Sequence, residues 1–239
     1  MFYNTRKFFL LITSLSFAAS SIAEQNSVLP FEATYAIKYH GIAFATATRT
    51  FQTDQSGHYT FTFYTHSTFP LANFKIFETS QGKWTTKGPR PLEYSYHHQG
   101  MLDKRNIISQ FNWAKHMNFS NKNDREYQIN IPNDAHDKLS YQLALRQDLI
   151  QGKKTFVYNL ANKGHISTYI FKKFSEETLQ IQSVNIKTIK MQRTNSSPHR
   201  EVITFWLAPE YDYVPVKIIG VKDGKVIAEA EIRTYKALE

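Results

Sequence analysis

Apolar side chains recur at every second position over most of this sequence, which is the period of a β-strand with one buried face. Phe31, Ala33, Tyr35, Ile37 and Tyr39 share one face, Glu32, Thr34 and Lys38 take the other, and His40-Gly41 reads as a turn into a partner strand at 42–51. The same alternation predicts strands at 59–65, 74–84, 92–98 and 105–113, with a further piece at Tyr127, Ile129 and Ile131. Pro89 and Pro91 punctuate the loop before the strand at 92–98. Strands resume at 155–161, 165–174, 179–182, 185–191, 200–208 and 214–222. Asp223-Gly224 is the strongest turn signal, because a two-residue hairpin turn wants positive φ at both central positions. After it Val226, Ala228, Ala230 and Ile232 alternate with Glu229, Glu231 and Arg233.

One stretch breaks this rhythm. Over 137–151, Leu139, Leu143, Arg146, Leu149 and Ile150 recur at spacings of three and four, which predicts an amphipathic helix. Asp134 or Asp137 is placed to cap its N-terminus, and Gly152 to end it in a left-handed conformation. The fold class that follows is mainly β: a single strongly curved antiparallel sheet or a partly open β-barrel with one amphipathic helix plugging or capping its mouth.

The first residues follow another logic. Arg6 and Lys7 precede an apolar run from Phe8 to Phe17, and Ser21-Ile22-Ala23 has the small-x-small form that a signal peptidase accepts. Residues 1–23 therefore read as a cleavable signal peptide and 24–239 as one β-rich domain. The apolar run is shorter than the roughly 20 residues that cross a bilayer, so the expectation is a protein that does not span the membrane. The chain has no cysteine, so neither disulfides nor thiolate chemistry enters. Its formal charge of +9 suits anionic envelope components such as lipid headgroups, export makes nucleic acid an unsuitable partner, and scattered lysines also serve solubility alone.

No motif names a reaction. The strand-to-helix elbow G-x-S-x-G of serine hydrolases and the spaced glycines of phosphate loops are both missing. His97-His98 would point to opposite faces of a strand, and Asp134, His136 and Asp137 fall where a helix cap is expected, so no metal site and no cofactor is predicted. Carboxylates such as Glu32, Glu78 and Glu93 lie on separate strands, and the sequence does not pair them. What stands out is the aromatic content, 14 Tyr and 18 Phe, which reads as core packing or as the lining of an apolar ligand site. The candidate ligand-binding residues are Phe69, Phe74, Trp113 and Trp206, and the apolar loop 68–74 is a candidate ligand-gating or membrane-touching lip.

Two stretches, Asp137-Lys138-Leu139-Ser140 with Leu143-Ala144-Leu145-Arg146, and Thr204-Phe205-Trp206-Leu207-Ala208-Pro209 with Asp212-Tyr213-Val214-Pro215-Val216, resemble the exported proteobacterial domain-of-unknown-function family 3108. The opening Leu29-Pro30-Phe31-Glu32-Ala33-Thr34-Tyr35 and its Gly41 turn add to the likeness. Pro209-Glu210 departs from the small polar or acidic pair expected before the Asp-x-x-Pro element. The resemblance implies a β-rich periplasmic domain and carries over no catalytic residue. The functional expectation is a periplasmic binding or carrier module for a lipid or lipid-linked glycan, with no catalytic step; a structural envelope protein acting through protein or cell-wall partners is the alternative.

Overall fold

A computed structural model describes residues 28–69, 73–100, 104–195 and 201–238. The predicted signal peptide and Pro70, Leu71 and Ala72 of the apolar loop lie outside the described residues. The alternating segments become β1 (Phe31–Tyr39), β2 (Ile42–Thr53), β3 (His58–Ser67), β4 (Lys75–Thr85), β5 (Gly88–Gln99), β6 (Lys104–Asn112), β7 (Met117–Lys122) and β8 (Arg125–Asn130). A two-residue strand, β9 (Ala135–His136), leads into helix α1 (Ser140–Ile150). The second half comprises β10 (Phe156–Asn162), β11 (His165–Ile181), β12 (Val184–Asn195), β13 (Glu201–Ala208), β14 (Val214–Lys222) and β15 (Lys225–Ala237).

All of them form one sheet of 15 strands, ordered β8-β7-β6-β5-β4-β3-β2-β1-β15-β14-β13-β12-β11-β10-β9. Each half is a meander in which sequence neighbours pair antiparallel, except that β9 and β10, joined through the helix, pair in parallel, and the pairing of β1 with β15, Phe31 opposite Ala237, joins the halves at the centre. The sheet curls until its two edges meet without a hydrogen-bonded ladder. At this seam Phe111, Ile131, Ala135 and Ala161 pack together, and Tyr127 of β8 lies against Gly164 in the β10–β11 turn. The result is an unclosed barrel.

Tight turns make the meander possible. His40-Gly41 (φ 48° and 80°), Lys163-Gly164 (46° and 81°) and Asp223-Gly224 (49° and 77°) have positive φ at both central residues, the hairpin geometry whose twist matches the flanking strands. Gln182-Ser183 adopts it as well, at 49° and 70°, without a glycine or asparagine.

The helix fills the space the sheet encloses. Asp137 Oδ1 accepts the backbone N–H groups of Leu139 and Ser140 at 2.7 and 2.8 Å, and its own N–H donates to Ser140 Oγ at 2.9 Å. This reciprocal cap satisfies donors that the first turn leaves free. At the other end Gly152 N–H donates to Leu149 O and Lys153 N–H to Asp148 O, the paired bonds of a left-handed glycine stop. Leu139 and Leu143 pack with Phe31, Phe51, Phe61 and Tyr94, while Tyr141, Leu145 and Leu149 pack with Phe171, Met191 and Phe205. The helix thus joins two cores, and each fully buried leucine contributes about 2 kcal/mol.

Three expectations are corrected and one strand is added. The helix is not amphipathic: Ser140, Tyr141, Leu143, Ala144, Leu145, Arg146, Gln147 and Leu149 are all buried, because a helix inside a curled sheet meets a wall on several sides. One of its polar side chains is matched from the wall where Arg49 Nη1 donates to Gln142 Oε1 at 2.9 Å. Pro89 and Pro91 lie within β5 rather than a loop; β6 pairs with β5 only from Glu93 onward, so the prolines face a side that asks for no N–H donor. The polar strand β7 has no alternating apolar signal and is held by its ladders to β6 and β8. The segments expected at 165–174 and 179–182 are one strand, continuous through an irregularity between Lys173 and Ser175.

Candidate ligand-binding cleft

The curled sheet offers two places where a molecule could sit, its interior and its seam. The interior is nearly solid. The space left beside α1 is about 20 Å³, between Phe31, Arg49, Phe61, Gln142 and Arg146 among others, which is room for about one water molecule. Arg146 borders it with Cζ 4.5 Å from the centre of the Phe31 ring, and its Nε donates to the Asp212 carbonyl at 2.7 Å. Burial lowers the guanidinium to about 10 against the pull of Asp212, so it stays charged. Asp212 and Tyr213 both have positive φ, 50° and 59°, and this bend, following a 3-10 turn at Pro209–Tyr211, aims the carbonyl of Asp212 inward.

A second polar chain crosses the interior. Tyr59 OH meets Ser80 Oγ at 3.2 Å, and Ser80 Oγ donates to Asp137 Oδ2 at 2.6 Å. Burial nonetheless pushes the Asp137 carboxyl up to about 6, against the hydrogen bonds from Ser80, Leu139 and Ser140 that favour its charge. Glu78, also raised by burial, accepts a short bond from the Tyr94 hydroxyl.

The seam holds a cleft of about 430 Å³ between the β4–β5 turn, the start of the β6–β7 turn and the segment 133–136, a volume within the range of small-molecule sites. Lys87, Pro89, Arg90, Trp113, Asp134 and His136 contribute to its walls. The turn is fixed by Thr85 Oγ1, which donates to the Gly88 carbonyl at 2.9 Å and accepts from Lys87 N–H at 3.2 Å. Gly88 has φ 105°, and the side-chain oxygen of Gln147 occupies the place a Cβ would take. The helix inside and the cleft outside therefore touch through this glycine.

Trp113 is held on three sides. Its Nε1 donates to the Pro91 carbonyl at 2.7 Å, its ring stacks on Phe111 at 5.7 Å, and Arg90 Cζ lies 4.3 Å from its ring centre. Arg90 Nε and His136 Nδ1 are buried and have no hydrogen-bond partner among the described residues. Burial pulls His136 down to about 4, so it is neutral at physiological pH, packed edge-on against Tyr158. Asp134 accepts a bond from Asn159 Nδ2 at 3.2 Å. Two cations, a carboxylate and an uncharged imidazole thus line a cleft with an aromatic wall. Such a surface complements an anionic, hydroxyl-rich group better than a bare acyl chain.

The four candidate residues do not converge. Trp113 lies in the cleft. Phe69 and Phe74 belong to the β3–β4 connection at the opposite ends of these strands, where Phe69 is exposed and Phe74 packs near Phe44 and His98. Trp206 is buried with Ile181, Ile186, Val214 and Val216, and its Nε1 donates to Glu177 Oε2 at 3.0 Å; the far half of the β11–β12 hairpin packs over it. The metal candidates also separate, since Asp137 turns to the helix, His136 to Tyr158 and Asp134 to Asn159. Lys87 and Arg90 carried no signal in the sequence, because the predicted loop around Pro89 concealed a strand that carries Arg90 to Trp113.

The family of proteins of unknown function DUF3108 matches residues 34–231. The chain belongs to this family. Within DUF3108, then, the solid interior and the Asp212 bend are features of this member's fold. The fold also extends beyond the family: the chain is similar to the crystal structure of a β-barrel-like protein of the domain of unknown function DUF1849 from Brucella abortus, with a TM-score of 0.58 and 8% identity over 89% of this chain and 99% of that one. At that identity the likeness concerns fold alone. No curated protein matches the sequence. No helix among the described residues is long and apolar enough to cross a membrane.

Proposed function

We propose that this DUF3108 protein is a periplasmic binding module, without a catalytic step, whose seam cleft takes the polar, anionic portion of an envelope molecule such as a lipid-linked glycan. The cleft carries the reading: it is the volume of ligand size that joins a cationic wall, Lys87 and Arg90, to an aromatic one, Trp113, in a fold whose interior is already filled. Binding there would be reversible and would draw on charge-assisted hydrogen bonds from Arg90, whose Nε has no partner among the described residues. The test is native mass spectrometry of the protein gently purified from its own host's periplasm, with denaturing analysis of whatever it releases. A glycan- or phosphate-bearing adduct is expected, lost in the Lys87→Glu, Arg90→Gln variant and kept in Trp206→Phe. An adduct that survives the cleft substitutions would place the ligand elsewhere.

The filled interior favours a second reading, a structural envelope protein that works through protein or cell-wall partners. A protein free of adduct that is retained on purified peptidoglycan would support it over the first.

A further inference from the structure

The strand order sets three hairpin connections side by side at one end of the sheet. They are the β3–β4 connection, the β1–β2 turn at His40-Gly41 and the β14–β15 turn at Asp223-Gly224, since β4, β3, β2, β1, β15 and β14 are consecutive neighbours. Each carries large apolar side chains into water. Ile42 is 71% exposed, Phe69 51% and Tyr39 50%, and Val226 and Ile227 are exposed beside them. Turn geometry asks for none of these, because positive φ falls on His40, Gly41, Asp223 and Gly224. Scattered exposed apolar residues are ordinary, but five at three adjacent tips form a patch.

The patch is bordered by cations. Lys75, Lys222 and Lys225 are exposed and form no ion pair among the described residues. The same end continues through Lys104 and Arg105 at the start of β6, Lys122 and Arg125 at the β7–β8 turn and Lys163 at the β10–β11 turn. Positive charge is dense enough there that Lys138, Lys122 and Arg105 add to burial in lowering Lys163. At the other end Asp54-Gln55-Ser56-Gly57, Thr86-Lys87 and Gln182-Ser183 are polar, and the exposed apolar side chains Leu29 and Val184 stand singly on separate connections.

We infer that the described residues at this end of the sheet, Ile42, Tyr39 and Phe69 with Val226 and Ile227, dock the protein on a bilayer surface bearing anionic phospholipid, with Ile42, Phe69 and Tyr39 entering the headgroup boundary and the surrounding lysines meeting the phosphates. Apolar groups ringed by lysine suit that boundary, where an aromatic ring finds an apolar body and a wet edge and each nearby cation is attracted to the anionic surface. A protein partner would call for carboxylates opposite the same rim, whereas a membrane supplies both the apolar layer and the charge. The docking lies at the end of the strands opposite the cleft and is independent of what the cleft binds.

The experiment is co-sedimentation of the purified protein with vesicles of phosphatidylcholine alone and of phosphatidylcholine with phosphatidylglycerol, at low and high salt. Expected are binding to the anionic vesicles, weakening as salt screens the lysines, and a loss of roughly tenfold or more in the Ile42→Ser, Phe69→Ser variant. Lys222→Glu, Lys225→Glu should lose binding to the same vesicles while leaving the circular dichroism spectrum unchanged. In a Tyr39→Trp variant the new indole should shift to the blue on vesicles. No binding to anionic vesicles, or binding indifferent to both double variants, overturns the proposal; so does a dimer in solution that Ile42→Ser dissociates, since the patch would then be an interface between copies. Lys87→Glu, Arg90→Gln should leave vesicle binding intact, which keeps this result separate from that of the cleft.

Discussion

Two neighbouring residues, His136 and Asp137, are buried with opposite displacements of their proton affinities, and their effects on stability should cancel. Asp137 is held near 6 against an ordinary 3.8, which converts to about 3 kcal/mol of pH-dependent stability. Its folded state keeps a proton that the unfolded chain has already released, so its contribution is full below the unfolded value and is lost as pH rises to about 6. His136 is held near 4 against an ordinary 6.5, again worth about 3 kcal/mol. Here the unfolded chain takes up the proton first, so the contribution is full above 6.5 and is lost as pH falls to about 4. Over one window, pH 4 to 6.5, one contribution falls while the other rises. Asp137→Asn keeps an acceptor for the Leu139 and Ser140 N–H groups and removes the first; His136→Gln removes the second. Urea denaturation across pH 4 to 8 should therefore show Asp137→Asn gaining about 3 kcal/mol relative to wild type as pH rises from 4 to 6, and His136→Gln losing about as much relative to wild type as pH rises from 4 to 6.5, while the double variant runs parallel to wild type. If both single variants keep profiles parallel to wild type, the two groups do not titrate as their burial implies and the reasoning fails.

Two further outcomes test the packing. Ser183→Gly should stabilise the protein by about 1 kcal/mol in chemical denaturation, because Ser183 sits at φ 70° in a tight turn and glycine relieves the side-chain penalty there; an unchanged midpoint would count against that strain. Gly82→Ala should cost about 3 kcal/mol, since a Cβ at position 82 would meet the Arg90 carbonyl and stand 2.6 Å from the Tyr59 ring. A thermal midpoint equal to wild type would show that Tyr59 and the β4–β5 ladder yield more readily than their burial implies.

The sequence by itself determined the class of structure. Alternation along 31–39, 59–65 and 214–222 and turn chemistry at His40-Gly41 and Asp223-Gly224 are local properties, set by the pleat of a strand and the φ each residue tolerates, and they place most of the strands. Asp137 and Gly152 mark the two ends of the helix for the same reason. What only the tertiary structure decided is which side of each element has a neighbour. A helix enclosed by a curled sheet is buried around most of its circumference, so spacing alone suggested an amphipathic helix where Tyr141, Ala144 and Gln147 are buried as well. The prolines of β5 are tolerated because β6 begins pairing only after them, and β7 is a strand because two strands flank it. Trp206 and Trp113 look alike in the sequence, yet the far end of β11 and β12 covers one while the unclosed seam leaves the other beside a cleft. Seams, covers and edges are made by pairs of segments far apart along the chain, and no local pattern encodes which pairs will meet.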